Sequence, residues 1–411
     1  MYSTRDRSGF HASTGAARLF VVAILLLTTL IATGQPIRQP PPPITFPEWK
    51  EIELGEEHTE YLVTIPSAYR SPYPNNNQIP VRVFIPEPRT GPIPVVVVLH
   101  YWGATDLRPE RALATELNRR GMAAAVVTLP YHLERTPPGR RSGEMAIEGD
   151  VERLKLTTLQ SVSDVRRTID FLSTKPEFDP KRVGITGTSL GALVTALVFA
   201  LDPRVDSATF ILGGVDFADI LWSSSRVVIQ RDVLRRRGFT EERLREALAE
   251  VEPLTYLPER KTGSAFVIGA KFDTVIPESS SRKLIAALPD PKVLWLDTGH
   301  YGGIFVQRRL MREVAGYFAS KFTGATYNLP TKLYAPTFRV GIKADLSSGF
   351  DVALGLDLIR FDPKGEAFGT LLVTPRGPGL FLGKKITPVI AAGAIFTPRS
   401  GSIGIFWSTV L

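Results

Sequence analysis

The chain has 411 residues, 44% hydrophobic and 22% charged, which excludes a disordered protein and leaves room for a large core and more than one domain. Its net charge of +8 is spread thinly, and the densest basic run, Arg235–Arg237, shares its stretch with Glu241, Glu242, Glu246 and Glu250. That reads as a solvated helix face, so no nucleic-acid partner is expected. The absence of cysteine excludes disulfides, thiol catalysis and thiolate metal sites, and no metal or other cofactor is expected.

Residues 1–18 are polar, with Arg5, Arg7 and Arg18, and Leu19–Ala32 is a mostly apolar run. The run falls short of the roughly 20 residues that span a bilayer. With the small residues Ala32, Thr33 and Gly34 behind it, segment 1–34 reads as a signal peptide, and the protein as exported, periplasmic or secreted. A membrane anchor over residues 19–34 is the alternative. Residues 35–45, with Pro40–Pro43, read as an extended polyproline linker.

The folded body is expected over residues 46–325. Thr59–Ile65 and Ile79–Ile85 alternate and read as half-exposed strands. Pro94–Leu99 is continuously apolar, as a parallel strand covered on both faces should be. A helix over Arg108–Arg120 and a buried strand over Ala123–Val127 follow. A helix over Leu156–Leu172 then leads to a strand at Arg182–Thr186, and further short strands fall at Ala208–Leu212, Ala265–Gly269 and Val293–Leu296. Alternating strands and helices predict an α/β fold, a mainly parallel, doubly wound sheet. Two stretches break the rhythm, 129–151 and 216–260, the second with helices near Ser224–Arg237 and Thr240–Glu250. Both follow strand ends, where such sheets bind ligands, and read as walls or lid of a substrate pocket. From 326 to 411 helical periodicity stops. Short alternating runs, beginning with a hairpin about Ser347–Gly349, predict a small all-β module. Its alternation is like that of outer-membrane barrel strands, with too few strands to close one; packing on the body or on a partner is expected instead.

Gly187-Thr188-Ser189-Leu190-Gly191 lies between the Arg182–Thr186 strand and a helix-like run, Ala192–Ala200. G-x-S-x-G between strand and helix is a nucleophile elbow, whose partners follow in the order acid, then histidine. A serine hydroxyl needs a base to take its proton, and the base needs an orienting acid. Of the five histidines only His300 follows Ser189, so it is nominated as base. Asp273, directly after the Ala265–Gly269 strand, is the favoured acid, with Asp216 and Asp297 as rivals; the ordinary reading of Asp216 is a helix N-cap. Two N–H donors should face the oxyanion. Leu190 supplies one, and the loop after Leu99 the other, from Trp102 or in reserve Tyr101. His100 is expected to brace that loop. His132, Arg135 and Arg140 in the first insertion are candidates to meet a polar or anionic substrate group.

From Phe46 to Phe322 the chain resembles the α/β-hydrolase superfamily. The Val95–Gly103 loop and Asp179–Gly191 are similar to the dienelactone-hydrolase, acetyl-xylan-esterase and prolyl-oligopeptidase branches. The resemblance implies nucleophile, acid and base at Ser189, Asp273 and His300. The chain departs from dienelactone hydrolases in having Ser189 where they carry cysteine, and from the usual His-Gly oxyanion loop in having His100-Tyr101. The expected activity is hydrolysis of carboxylic esters, of a small molecule or an acylated polymer, through an acyl-enzyme. The rivals are a serine peptidase of prolyl-oligopeptidase type, from which the absent propeller detracts, and a non-catalytic envelope binding or scaffold protein. The N-terminal segment and the β-module are the two features suited to membrane or envelope association.

Overall fold

The computed structural model describes residues 36–55, 57–330, 333, 337–347, 349–362, 366–387 and 389–410. The expected export segment, 1–34, lies outside them. The chain divides into two units, Met1–Gln39 and Pro40–Leu411. In the first, Pro36–Arg38 form one 3-10 turn where an extended linker is expected. Proline's fixed φ suits the start of a helical turn as well as polyproline, so composition alone does not separate the two.

Pro40–Leu411 holds two sheets. The first has nine strands in the order β1-β2-β3-β5-β4-β6-β7-β8-β9. They are β1 (Lys50–Leu54), β2 (His58–Pro66), β3 (Gln78–Pro86), β4 (Ile93–Leu99), β5 (Ala123–Val127), β6 (Phe178–Thr188), β7 (Val205–Ile211), β8 (Ser264–Ala270) and β9 (Lys292–Leu296). Pairing is antiparallel from β1 to β5 and parallel from β5 through β4 to β9. Between strands run α1 (Arg108–Asn118), α2 (Val151–Ser173), α3 (Leu190–Leu201), α4 (Phe217–Ser223), α5 (Val228–Arg236), α6 (Glu241–Leu248) and α7 (Glu278–Ala287), and α8 (Gln307–Phe322) follows the last strand. This is the α/β-hydrolase fold. β4 and β5 are buried at every residue, as their unbroken apolar runs require. β3 is also almost wholly buried, against the half-exposed expectation. It lies inside the sheet, and Phe84 packs into the core under α1 and α8 with Val96, Leu117 and Phe318.

The second sheet is a closed six-stranded barrel, β10-β11-β12-β13-β14-β15. Its strands are β10 (Thr337–Asp345), β11 (Gly349–Arg360), β12 (Ala367–Thr374), β13 (Gly377–Lys385), β14 (Ile390–Phe396) and β15 (Gly401–Val410), all antiparallel, with β15 pairing back to β10. The expectation that the strands are too few to close is therefore corrected. Closure needs sharp curvature and a filled interior. Gly383, Gly393 and Gly404 face one another across β13, β14 and β15, and a Cβ on Gly393 would stand 2.1 Å from the Leu382 carbonyl oxygen. Phe368, Phe381 and Phe406 fill the inside.

One rim of the barrel rests on the loops after β8 and β9. Arg360 lies over the Phe272 ring at 3.8 Å and donates to the Asp297 carbonyl (2.5 Å), Thr337 donates to the same carbonyl, and Phe338 stacks on Phe305 at 4.5 Å.

Candidate active site

Ser189 stands between β6 and α3 with φ 54° and ψ −113°, a strained conformation for a residue with a Cβ. The two glycines make the turn possible. A Cβ on Gly187 would lie 2.2 Å from the Gly191 backbone, and one on Gly191 would lie 2.5 Å from the Leu99 carbonyl oxygen. The Ser189 N–H donates to Ile211 O (2.8 Å), which pins the turn to β7.

His300, in the loop after β9, brings Nε2 to 3.0 Å from Ser189 Oγ, and its Nδ1 lies 2.7 Å from Asp273 Oδ2. The other Asp273 oxygen accepts the N–H groups of Val275 and Ile276, both at 2.8 Å. Those two bonds fix the carboxylate plane, and the carboxylate fixes the ring. Ser189 and His300 are each only 8% exposed. The rival acids point elsewhere. Asp216 caps α4 and holds Arg245 and Lys283, and Asp297 pairs with Lys271 at 2.6 Å.

Two buried histidines brace the loop after β4. His100 Nε2 accepts the Leu129 N–H (3.0 Å) and its Nδ1 faces Tyr101 O (2.9 Å). His132 Nε2 accepts the Gly103 N–H (3.0 Å) and its Nδ1 faces Pro130 O (2.8 Å). Both rings therefore carry the proton on Nδ1, and loop and insertion each hold the other. Burial pushes His100 down to about 4, against the smaller upward pull of its Tyr101 bond. Burial, with His100 as neighbour, pushes His132 down to about 3. The Gly103 amide is bonded to His132, and the Tyr101 and Trp102 amides have no protein acceptor among the described residues. The Leu190 N–H opens α3 beside Ser189. The Trp102 indole donates to Gly143 O at 2.8 Å and is held by the insertion too.

None of the three residues proposed from sequence to meet substrate lines the pocket over Ser189. His132 is fully buried behind Gly103. Arg135 is fully buried, bonded to Asp164 Oδ2 (2.7 Å), Asn76 O (2.6 Å) and Thr128 O (3.0 Å). Arg140 is exposed and pairs with Glu144 at 2.9 Å. The pocket over Ser189 has a volume of about 360 Å³ and no lining residue from 129–151, so that insertion buttresses the loop after β4 and is not a wall of this pocket. Its lining is mainly apolar, with Trp102, Leu212, Val275, Ile304 and Met311 around Ser189 and His300. The second insertion contributes Arg226, over the rings of Trp102 (5.1 Å) and Tyr301 (5.9 Å). Sequence reasoning missed Arg226, Tyr301 and Ile304. Nothing in the local pattern separates Arg226 from the other arginines of its stretch.

The family model for dienelactone hydrolases matches residues 79–293, more than half of the chain. The chain belongs to the dienelactone hydrolase family. The match runs from β3 into β9 and includes Ser189 and Asp273. Among solved structures, this family member is similar to an acetyl xylan esterase from Paenibacillus sp. R4, with 19% identity and a TM-score of 0.54 over 67% of this chain and 88% of that one. It is likewise similar to acetyl xylan esterase 1 from Thermoanaerobacterium sp. JW/SL YS485, with 17% identity and a TM-score of 0.52 over 66% and 89% of the two chains. At these identities the likeness is one of fold. No curated protein matches the sequence.

Proposed function

We propose that the protein is an exported serine hydrolase that cleaves carboxylic esters through an acyl-enzyme. The observation that carries this is the continuous Ser189–His300–Asp273 hydrogen-bond line, at 3.0 and 2.7 Å, ending under an apolar pocket. Ser189 Oγ adds to the ester carbonyl carbon as its proton passes to His300 Nε2. Asp273 holds the Nδ1–H and stabilises the imidazolium. The amides of Leu190 and of Trp102 or Tyr101 face the oxyanion. The leaving alkoxide takes the proton from Nε2, and the acyl group stays on Oγ. A water then attacks the acyl carbon, gives its proton to Nε2, and Ser189 recovers it as the acid departs.

The apolar lining supports an ester with an uncharged acyl group. The acetyl xylan esterases that share the fold make an acetyl ester, free or on a polymer, the first substrate to assay. Export rests on Leu19–Ala32 and the small residues behind it, and amino-terminal sequencing of secreted protein tests it. For the chemistry, the test is labelling by a fluorophosphonate. The wild-type chain should label and hydrolyse 4-nitrophenyl acetate, and Ser189→Ala should lose the label and about 10⁶-fold in turnover. An unlabelled wild-type chain would sink the hydrolase reading.

A further inference from the structure

The outer wall of the barrel is apolar, unlike that of a water-soluble barrel, although Phe368, Phe381 and Phe406 also fill its inside. Along β11, Phe350, Val352, Leu354 and Leu358 face outward at 77, 61, 56 and 45% exposure, while the alternate residues Ala353 and Asp357 are buried. Beside that apolar filling, the inside also holds charge. Arg339 pairs with Asp357 at 2.9 Å, Thr370 donates to Asp357, and Lys343 pairs with Asp345 at 2.6 Å. The outside carries apolar side chains on every strand, with Ile342, Leu354, Val373, Leu382, Phe396 and Trp407 as one example from each. All are at least partly exposed.

We propose that the outer wall of this barrel is immersed in the hydrocarbon of a lipid bilayer. Three observations choose lipid over a protein partner. The apolar side chains lie on all six strands, so the apolar surface runs round the barrel, whereas a second protein covers one side. Ion pairs and hydroxyls turn inward, the arrangement that lipid around a barrel imposes. Aromatic residues mark both ends of the wall, Phe350 and Phe396 by the turns at one end and Phe361 just past β11 at the other. Four of the six strands, β10, β11, β13 and β15, have 9 to 12 residues, against about 9–11 for a strand that spans a bilayer, and β12 and β14 are shorter at 8 and 7. From 7 residues in β14 to 12 in β11, strands tilted by about 40° rise roughly 18–31 Å, against an apolar band of about 25 Å. Among the described residues no helix is long and apolar enough to cross a membrane.

The immersed wall brings the pocket to the bilayer surface. Tyr301, Ile304 and Phe305 form an exposed apolar lip, and Phe305 stacks on Phe338 at the barrel rim. On the hydrolase reading, which this consequence rests on, the substrate is an ester carried in or at the membrane.

The test uses the full chain with vesicles of phosphatidylcholine and phosphatidylglycerol whose acyl chains are brominated. Flotation alone does not decide, because Leu19–Ala32 is apolar too; that run carries no tryptophan. Tryptophan fluorescence should be quenched by the brominated vesicles and not by plain ones, and Trp407→Phe should lose the quench. Ser189→Ala should keep it, which separates this result from any failure of the hydrolase reading. Leu354→Glu with Val373→Glu should reduce the quench if the pair folds; if it does not, the Trp407 comparison still decides. An unquenched chain in the aqueous fraction would overturn the proposal, as would an unquenched dimer by sedimentation, which would assign the wall to a second copy.

Discussion

The guanidinium of Arg226 lies over Trp102 and Tyr301 at the pocket mouth, and among the described residues it has no ion-pair partner. A cation there attracts a negative group on the substrate without the cost of breaking an existing pair. Arg226→Ala is expected to raise KM for esters with an anionic tail by up to about fivefold, the scale of an exposed charge pair, and to leave KM for neutral esters unchanged. Steady-state kinetics on a matched pair of esters checks it. Ser189, Asp273 and His300 are legible as residues because order along the chain and a count of five histidines leave one base after the serine. Arg226 is not legible, because its role depends on which rings fold against it.

At the scale of elements, segment 129–151 and the loop after β4 form one mechanical unit. His100 and His132 cross-link them, and Arg135 ties the insertion to α2 through Asp164, which Ser67 also bonds at 2.6 Å. Burial raises the Asp164 carboxyl despite Arg135, and lowers Arg135 despite Asp164. Such a pair stabilises little by itself, but removing one partner strands the other charge in the core. Arg135→Ala is therefore expected to cost about 3–5 kcal/mol of stability, read as a lower thermal midpoint, and to leave the KM contrast between anionic and neutral esters unaltered. From sequence alone these residues read as solvent-facing loop charges or substrate contacts, because Pro, Gly and charge in a loop are read as exposure. Asp164 is 29 positions away, beyond the range of any local pattern.

At the scale of the whole molecule, pH acts on stability through buried groups of opposite sign. His100 and His132 titrate in the native state near 4 and 3, below the unfolded value of about 6.5. The unfolded chain binds protons that the native one refuses, so stability is lost as pH falls from about 6.5 through those values. Glu110, in the first turn of α1, is held up at about 7 by burial, against 4.5 in the unfolded chain. Here the native state keeps the proton, so stability is full below 4.5 and falls as pH rises through 7. Glu110→Gln should therefore stabilise relative to wild type at pH 8, by up to about 3 kcal/mol, and much less at pH 5. Thermal melts of both proteins at the two pH values check it. The barrel belongs to this scale as well. It rests on Phe272 and Asp297, beside Asp273 and in the His300 loop, so whatever holds the barrel also holds the ground on which Asp273 and His300 stand.

By itself the sequence determined the alternation of strand and helix, the elbow at Ser189, the order of its partners and the change of texture at 326, because these depend on spacings within a few residues or on order along the chain. Tertiary structure alone decided that six short strands close into a barrel and that apolar residues cover its outer wall. It also decided that His132 and Arg135 brace the loop from behind and that Arg226 reaches the pocket. A period of two says which residues share a face, but not which face is covered. Burial of a charge is set by partners far along the chain, which come together only when the sheet is built.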